Sequence, residues 1–564
     1  MTANQIANRQ QEEQARSNRA NESIKDRTLA ETKRSNRERE KTEKAKTAIQ
    51  GLGTLFGKRN DPSWYNLDKQ LVKDVASISY GQPLGSPIKG QLEPNRKQYV
   101  PGMLGIHFIP TIGVTGATDN IPINVAAKNI YAYVRYANSG ARNYEAVDLM
   151  LYILAMDNAY MQLQFAKTLY SVALTAKGEN WYYGKAMLRL MLGSDAAATD
   201  ILDNLAQFRS AINIFAMRLN SFYVPNTMPI VLRHSWLCGN IFKDHEIKKS
   251  QTYHFIPEIY YTYNDTGGKL DPNFTPYSTL GTEASVASIT TMFNTIINAL
   301  TTSEDIGIMS GDILKAYGEG KILFAESINE DFHIEATYSA EVLSQINAAT
   351  LAGSCDDGTI ADFSVDIYQD TLGNILMGNA TSKTNTIVIP NRTNPIPASV
   401  NFQWNPLVVN MYKDEVTPDD TMVATRLMAI LSASHTAGSV NVDACGTELC
   451  LYANMVYQYG SNIVSESFNW GECFTVTEST VVSTYQRFLR KFTEYAKFDW
   501  APRICAYLDI TSKWAASLLP QPFYDSIDLA NYASIDESTL IAMHGVALLS
   551  EFGVPLLGTT VRIR

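Results

Sequence analysis

The sequence predicts a mainly α-helical body with a strand-rich insertion, α+β overall, behind a disordered or helical N-terminal arm. Three observations predict it. Apolar residues recur at helical spacing over much of the chain. Between about residues 330 and 475 the texture changes to period-two alternation, with prolines between the alternating runs. The first 48 residues hold no aromatic side chain and only Ile6, Ile24 and Leu29 as large aliphatics beyond Met1. That is too little apolar surface to offset the entropy of ordering.

The arm has no Pro or Gly and is rich in Ala, Glu, Arg, Lys and Gln, all good helix formers. Opposite charges stand one helical turn apart at Arg9/Glu13, Glu12/Arg16, Arg27/Glu31, Arg34/Glu38, Arg39/Glu43 and Glu40/Lys44. Each such pair adds only about 0.2–0.5 kcal/mol, so the helix is expected to firm up only against a partner. EQARSNRANE at Glu13–Glu22 and ETKRSNRERE at Glu31–Glu40 both fit E-x-x-R-x-N-x-x-x-E, the second beginning 18 residues after the first. The repeated positions are Glu13, Arg16, Asn18 and Glu22, then Glu31, Arg34, Asn36 and Glu40. At about 3.6 residues per turn the offset is a whole number of turns, so both copies would face one way on a single helix.

Residues 1–48 carry 12 of the chain's 47 Lys/Arg and 8 of its 57 Asp/Glu, a net of +4 against −14 for the rest. A basic-leaning arm on an acidic body points to an anionic partner, nucleic acid first. The candidate nucleic-acid contacts are Arg9, Arg16, Arg19, Lys25, Arg27, Lys33, Arg34, Arg37, Arg39, Lys41, Lys44 and Lys46. On a duplex with one charge per ~1.7 Å, a net +4 offsets only ~7 Å. One arm is therefore a weak, sequence-blind tether, effective only when many copies face the same nucleic acid. With no aromatic residue to stack on unpaired bases, backbone contact is expected.

GLGTLFGKRNDPSW, from Gly51 to Trp64, reads as a hinge. Beyond it a helix is expected from about Asn143 to Lys177. An amphipathic run follows over Asp195–Phe222 through Ile201, Leu205, Phe208, Ile212, Phe215 and Leu219, and another over Glu283–Leu300. Phe363, Val365 and Ile367 alternate with polar residues into the turn-like DTLGN, and Val400, Phe402 and Trp404 alternate likewise. Helix returns as a stripe of Val482, Tyr485, Phe488, Leu489, Phe492 and Tyr495. The last helix starts near Asp536-Glu537-Ser538 and stops before Gly553 and Pro555. The expected domains are a charged arm with hinge over 1–59, a helical part over 60–329, a strand-rich part over 330–475 and a helical part over 476–564.

A chain of 564 residues can bury a large core. Its 18% of charged residues lies below the roughly 25% of ordinary domains, as expected where neutral surface is covered between subunits. Six cysteines, Cys238, Cys355, Cys445, Cys450, Cys473 and Cys505, make no disulfide framework. With no signal-like apolar N-terminus, synthesis in a reducing compartment is expected. The most apolar long stretch, AVDLMLYILAMDNAYMQLQF, contains Asp148 and Asp157, which argues against a membrane segment.

Motifs for chemistry are sparse. GEGKI at Gly318–Ile322 lacks the leading glycine and the Ser/Thr of a phosphate loop, and GLGTLFG spaces its glycines wrongly for a dinucleotide site. DHEIKKSQTYH offers Asp244, His245, Glu246 and His254, but not the one-turn histidine spacing of a helical zinc site, and no metal is expected there. Cys445 and Cys450 fit buried free thiols. His107 and His544 fit core or interface histidines, and no catalytic residue is identified.

NDPSWYNLDKQLVKDVASISYGQPLG after the arm, PGMLGIHFIPTIG at Pro101–Gly113, NIYAYVRYANSGARNYEAVDLMLYILAMDN and FYVPNTMPIVLRHSWLCGNIFKD carry a resemblance. From about residue 60 to the C-terminus the chain resembles the capsid proteins of picobirnaviruses, small double-stranded RNA viruses. The decapeptide resembles the E-x-x-R-x-N-x-x-x-E repeat of a small hydrophilic protein usually encoded upstream of that capsid gene. Here it is joined to the body, which leaves its role open.

The resemblance implies a mainly α-helical shell domain from 60–329 and 476–564, with 330–475 as a protruding domain. It further implies homodimers, sixty to a single-layered icosahedral shell, enclosing double-stranded RNA that the arm touches from inside. No enzymatic activity, cofactor or membrane segment is implied. The expected location is the virion, and the host-cell cytoplasm before assembly. The alternatives are a non-viral RNA-binding oligomeric scaffold and an enzyme with its site in DHEIKKSQTYH.

Overall fold

Eight consecutive residues, MLGIHFIP at Met103–Pro110, form a strand buried on both faces, and the main sheet is built on it. In this computed structural model the described residues are 100, 102–114, 118–138, 140, 144–177, 181–246, 250–278, 283–352, 367–370, 375–378, 387–388, 407–433, 439–459, 462–468, 471–476, 481–510, 523–525 and 531–553. All belong to one unit, Gly81–Arg564. The arm, its repeats and the hinge lie outside them, as do Phe363, Val365, Val400, Phe402 and Trp404.

The founding strand pairs antiparallel with Glu448–Tyr459 and parallel with Thr252–Pro257. Asn462–Phe468 and Phe242–Lys243 close the two edges of this five-stranded sheet. A bulge at His107/Phe108 leaves Leu451 as the extra residue opposite them, the kind of insertion that bends and twists a strand locally. A strand covered on both faces shows no alternation in its sequence, which is why this one gave no strand signal. The stretch expected to be helical over 60–329 thus also carries strands of this sheet beside its helices. Among the described residues the fold is mixed α+β, with twelve α-helices and five sheets.

The helix Ala146–Lys177 is the spine. Its 32 residues span about 48 Å at ~1.5 Å per residue. It is apolar nearly all round, as a fully enclosed helix must be, and it packs against helices Pro122–Ala137, Trp181–Leu192, Leu205–Leu219 and Pro229–Cys238 and strand Ile259–Asn264. Its polar side chains meet backbone carbonyls of those neighbours. Asn158 donates to Tyr261 (3.2 Å), Gln162 to Ile259 (3.1 Å) and Thr168 to Cys238 (2.8 Å). Among the described residues no helix is long and apolar enough to cross a membrane.

The run expected over Asp195–Phe222 is two helices, Asp195–Asp203 and Leu205–Leu219, parted at Asn204. All six named apolar positions are nonetheless buried. Phe215 stacks on Phe293 of the helix Val286–Thr301, centroids 4.2 Å apart. In the later stripe, on helix Val481–Tyr495, Phe488 and Tyr495 are buried, but Leu489 is 43% exposed and does not join the core.

Four of the five sheets cross the expected domain limits, two of them joining the 60–329 and 330–475 stretches. Ile259–Asn264 and Lys269–Phe274 continue into Ile367–Gln369 and Leu376–Gly378, the last two flanking DTLGN as an antiparallel pair. Glu448–Tyr459, from the strand-rich stretch, is an interior strand of the main sheet, between Asn462–Phe468 and Met103–Pro110.

Helix Trp181–Leu192 approaches the spine through Gly184, where an added Cβ would lie 2.7 Å from the Ala176 Cα. A Gly→Ala change inside a helix normally gains about 1 kcal/mol, whereas overpacking costs about 1–3 kcal/mol. Gly184→Ala is therefore expected to lower the thermal transition of the purified protein, as read by differential scanning fluorimetry. A raised transition would show that the two helices have room to part.

Candidate functional site: the C-terminal helix and the charge network beneath it

The C-terminal helix Glu537–Glu551 is built where the sequence places it. Asp536 caps it, accepting from the Thr539 amide at 2.8 Å, and hydrogen bonds from Ser538 and Thr539 hold its carboxyl down at about 2. Gly553, at φ 51°, ends it; a Cβ there would fall 2.3 Å from the Thr227 carbonyl, so only glycine lets the chain pass this close.

One side of this helix is locked into the body by charge. Arg426 is buried and donates to Glu551 and to Thr447 Oγ1 (3.1 Å). Its Nη2 lies 3.7 Å from Glu448 Oε2. Arg426 Nη1 also donates to His544 Nδ1 (3.3 Å), while His544 Nε2 faces Thr425 Oγ1 at 3.0 Å. The two contacts fix the neutral tautomer with hydrogen on Nε2. Burial and then the two nearby arginines push His544 down to about 3, keeping it uncharged.

Glu448 joins this cluster to the spine. Arg233 donates to Glu448 and, at 3.0 Å, to Gln345. His234 sits between two carboxylates, with Nδ1 2.6 Å from Asp157 Oδ2 and Nε2 3.3 Å from Glu448 Oε1. Burial alone would discharge it, but the two acids overcome burial and raise it to about 10. Burial likewise opposes ionisation of Glu448, yet Arg233, His234 and Arg426 hold it well below the usual carboxylate range. The network balances Asp157, Glu448 and Glu551 against Arg233, His234 and Arg426.

This geometry limits the chemistry. An imidazole charged to about pH 10 has no lone pair to act as a base. The nearby Cys238 and Cys450 thiols are raised by burial, and they and Cys445 are buried and outside any disulfide. His254 is buried beside Thr252 Oγ1 (3.1 Å), and burial pushes it down to about 3. His107 stacks on Tyr452 and bonds Glu258, which also accepts from the Tyr452 hydroxyl at 2.6 Å. These histidines are core residues, as the sequence suggested for His107 and His544.

The other side of the helix is apolar and, among the described residues, uncovered. Leu540, His544, Ala547, Leu548 and Glu551 face inward, whereas Ile541, Val546 (64% exposed) and Leu549 lie on the outer arc. Leu232 and Trp236 of helix Pro229–Cys238 are also exposed. A helix apolar all round belongs inside a larger body, and the described residues cover only the inward half of this one.

Residues 64–464, well over half of the chain, match the family model described as picobirnavirus capsid protein. The chain belongs to the picobirnavirus capsid protein family. It is a virion structural component of that kind. A capsid protein precursor of human picobirnavirus is 25% identical over 534 residues, covering 90% of this chain and 93% of the relative. An X-ray structure of the picobirnavirus capsid superposes with a TM-score of 0.63 at 21% identity, covering 87% of this chain and 98% of that one. The fold is therefore that of the capsid subunit.

The candidate RNA-contact and repeat residues of the arm lie outside the described residues. The charge network went unread because its members are far apart in sequence; only Asp157, an acid inside an apolar run, signalled that a buried cation must answer it.

The three histidines set opposite pH limits. His234 holds a proton up to about 10 that the unfolded chain releases near 6.5. Its contribution is complete below 6.5 and lost as pH rises toward 10. His254 and His544 refuse a proton down to about 3, so their contribution is complete above the unfolded value and lost as pH falls toward 3. Each proton difference tilts stability by about 1.4 kcal/mol per pH unit. The thermal transition should thus fall on both sides of neutrality, and His234→Gln should flatten the alkaline limb while leaving the acid limb. An unchanged alkaline slope in that variant would contradict the assignment.

Proposed function

We propose that this capsid protein assembles through homodimers, sixty of which close into an icosahedral shell around double-stranded RNA, with the N-terminal arm facing the RNA. The observation that carries the proposal is the outer face of helix Glu537–Glu551, apolar and uncovered on a capsid-family chain. Burying a Val, Leu or Ile side chain contributes about 1.5–3 kcal/mol, and in a symmetric contact each such face counts twice. The low charge content of the chain supports the same reading.

The arm serves as the inward tether. Its net +4 is weak for one copy, but a closed shell would crowd many arms onto one duplex, where valency multiplies weak contacts. The strand-rich stretch 330–475 supplies the projecting part. We place its end before residue 448, because Glu448–Tyr459 is a buried strand of the main sheet. Before assembly the chain resides in the host-cell cytoplasm.

Two experiments test this. The double variant Ile541→Asp/Val546→Asp should lower the yield of closed particles at least tenfold, while the soluble chain keeps its near-UV circular dichroism. Particles at the parental yield would remove this face from assembly. Deleting residues 1–48 should reduce the RNA content of purified particles, and its retention at raised salt, more than particle yield. Unchanged RNA content would refute the role of the arm.

A further inference from the structure

Asp244, His245 and Asp499 come together from two distant parts of the chain. Asp244 and His245 follow strand Phe242–Lys243, and Asp499 follows the helix Val481–Tyr495. One ligand atom from each lies within 4.8 Å of the other two, and His245 Nε2 is 3.1 Å from Asp499 Oδ2. Asp244 is only 4% exposed, and its Oδ1 is buried without a hydrogen-bond partner. The His245 and Asp499 side chains are more than half exposed.

The arrangement around Asp244 is built. Its amide donates to the Gln251 carbonyl (3.2 Å), and the Gln251 side-chain amide, in the orientation that turns its nitrogen to these two acceptors, donates to Asp244 Oδ2 (3.3 Å) and the Lys497 carbonyl (2.6 Å). Gln251 thus ties the Asp244 carboxylate to the segment that carries Asp499, and leaves Oδ1 unanswered. A buried carboxylate oxygen with no donor is costly, and two carboxylates beside one another repel unless a cation lies between them.

We propose that Asp244, His245 and Asp499 hold a divalent transition-metal ion, with solvent completing its coordination. With metal–ligand bonds of about 2.0–2.2 Å, neighbouring donors on a tetrahedral ion stand ~3.3 Å apart. The 3.1 Å between His245 and Asp499 is already that spacing. One imidazole with two carboxylates is a donor set for zinc, whereas calcium takes six to eight oxygens. Three protein ligands with an open position is a common zinc arrangement. The ion clamps the chain after strand Phe242–Lys243 to the end of helix Val481–Tyr495. Glu246 and His254, the other candidates in DHEIKKSQTYH, are not in this cluster.

The test uses untagged full-length protein, stripped with chelator and titrated with zinc chloride by calorimetry, with bound metal counted after gel filtration. The expected result is saturable zinc uptake that raises the thermal transition and outcompetes calcium. His245→Ala and Asp499→Asn should each weaken this uptake at least tenfold and abolish the thermal shift. Both positions are exposed, so the variants should keep the parental near-UV circular dichroism. The proposal is overturned by no saturable uptake, by parental affinity in both variants, or by calcium binding in preference to zinc.

Discussion

The fold depends on neutralising charge where water cannot reach. The spine helix carries Asp157 inside an apolar run, and an interior strand of the main sheet starts with Glu448. Two acids this deep would each cost several kcal/mol if left alone. His234 answers both, and Arg233 and Arg426 complete the balance. Removing one member would leave an unpaired charge, a loss of about 3–5 kcal/mol.

That constraint reaches the surface through the C-terminal helix. Arg426 and its partners Glu551 and His544 hold the helix by its inner side, which fixes the direction in which Ile541, Val546 and Leu549 point. A rigid apolar face presented in one orientation suits a contact repeated by symmetry, where small angular errors would prevent closure. The interior chemistry and the proposed assembly are thus two ends of one mechanical connection.

Much of this was legible in the chain and some was not. The spine and the C-terminal helix were, because long apolar periodicity and an Asp-to-Gly pair of end signals are local properties. Met103–Pro110 was not, since a strand buried on both faces has no alternation to detect. The break at Asn204 escaped because the six apolar positions keep helical spacing across it. Leu489 fits the stripe of its helix yet faces outward, a choice made by packing partners that no local pattern encodes. His234, which answers Asp157, lies 77 residues further along the chain, and Asp499, which comes to stand near Asp244, lies 255 residues further, beyond any motif.

The most direct test of the central claim, that charge-locked packing presents the C-terminal helix for assembly, is a cryo-electron microscopy structure of particles formed by this chain. The account predicts that the outer side of Glu537–Glu551 is covered by a second copy, with Ile541, Val546 and Leu549 in dry contact and Arg426 still bonded to Glu551. A closed shell in which that side of the helix faces open solvent would contradict it.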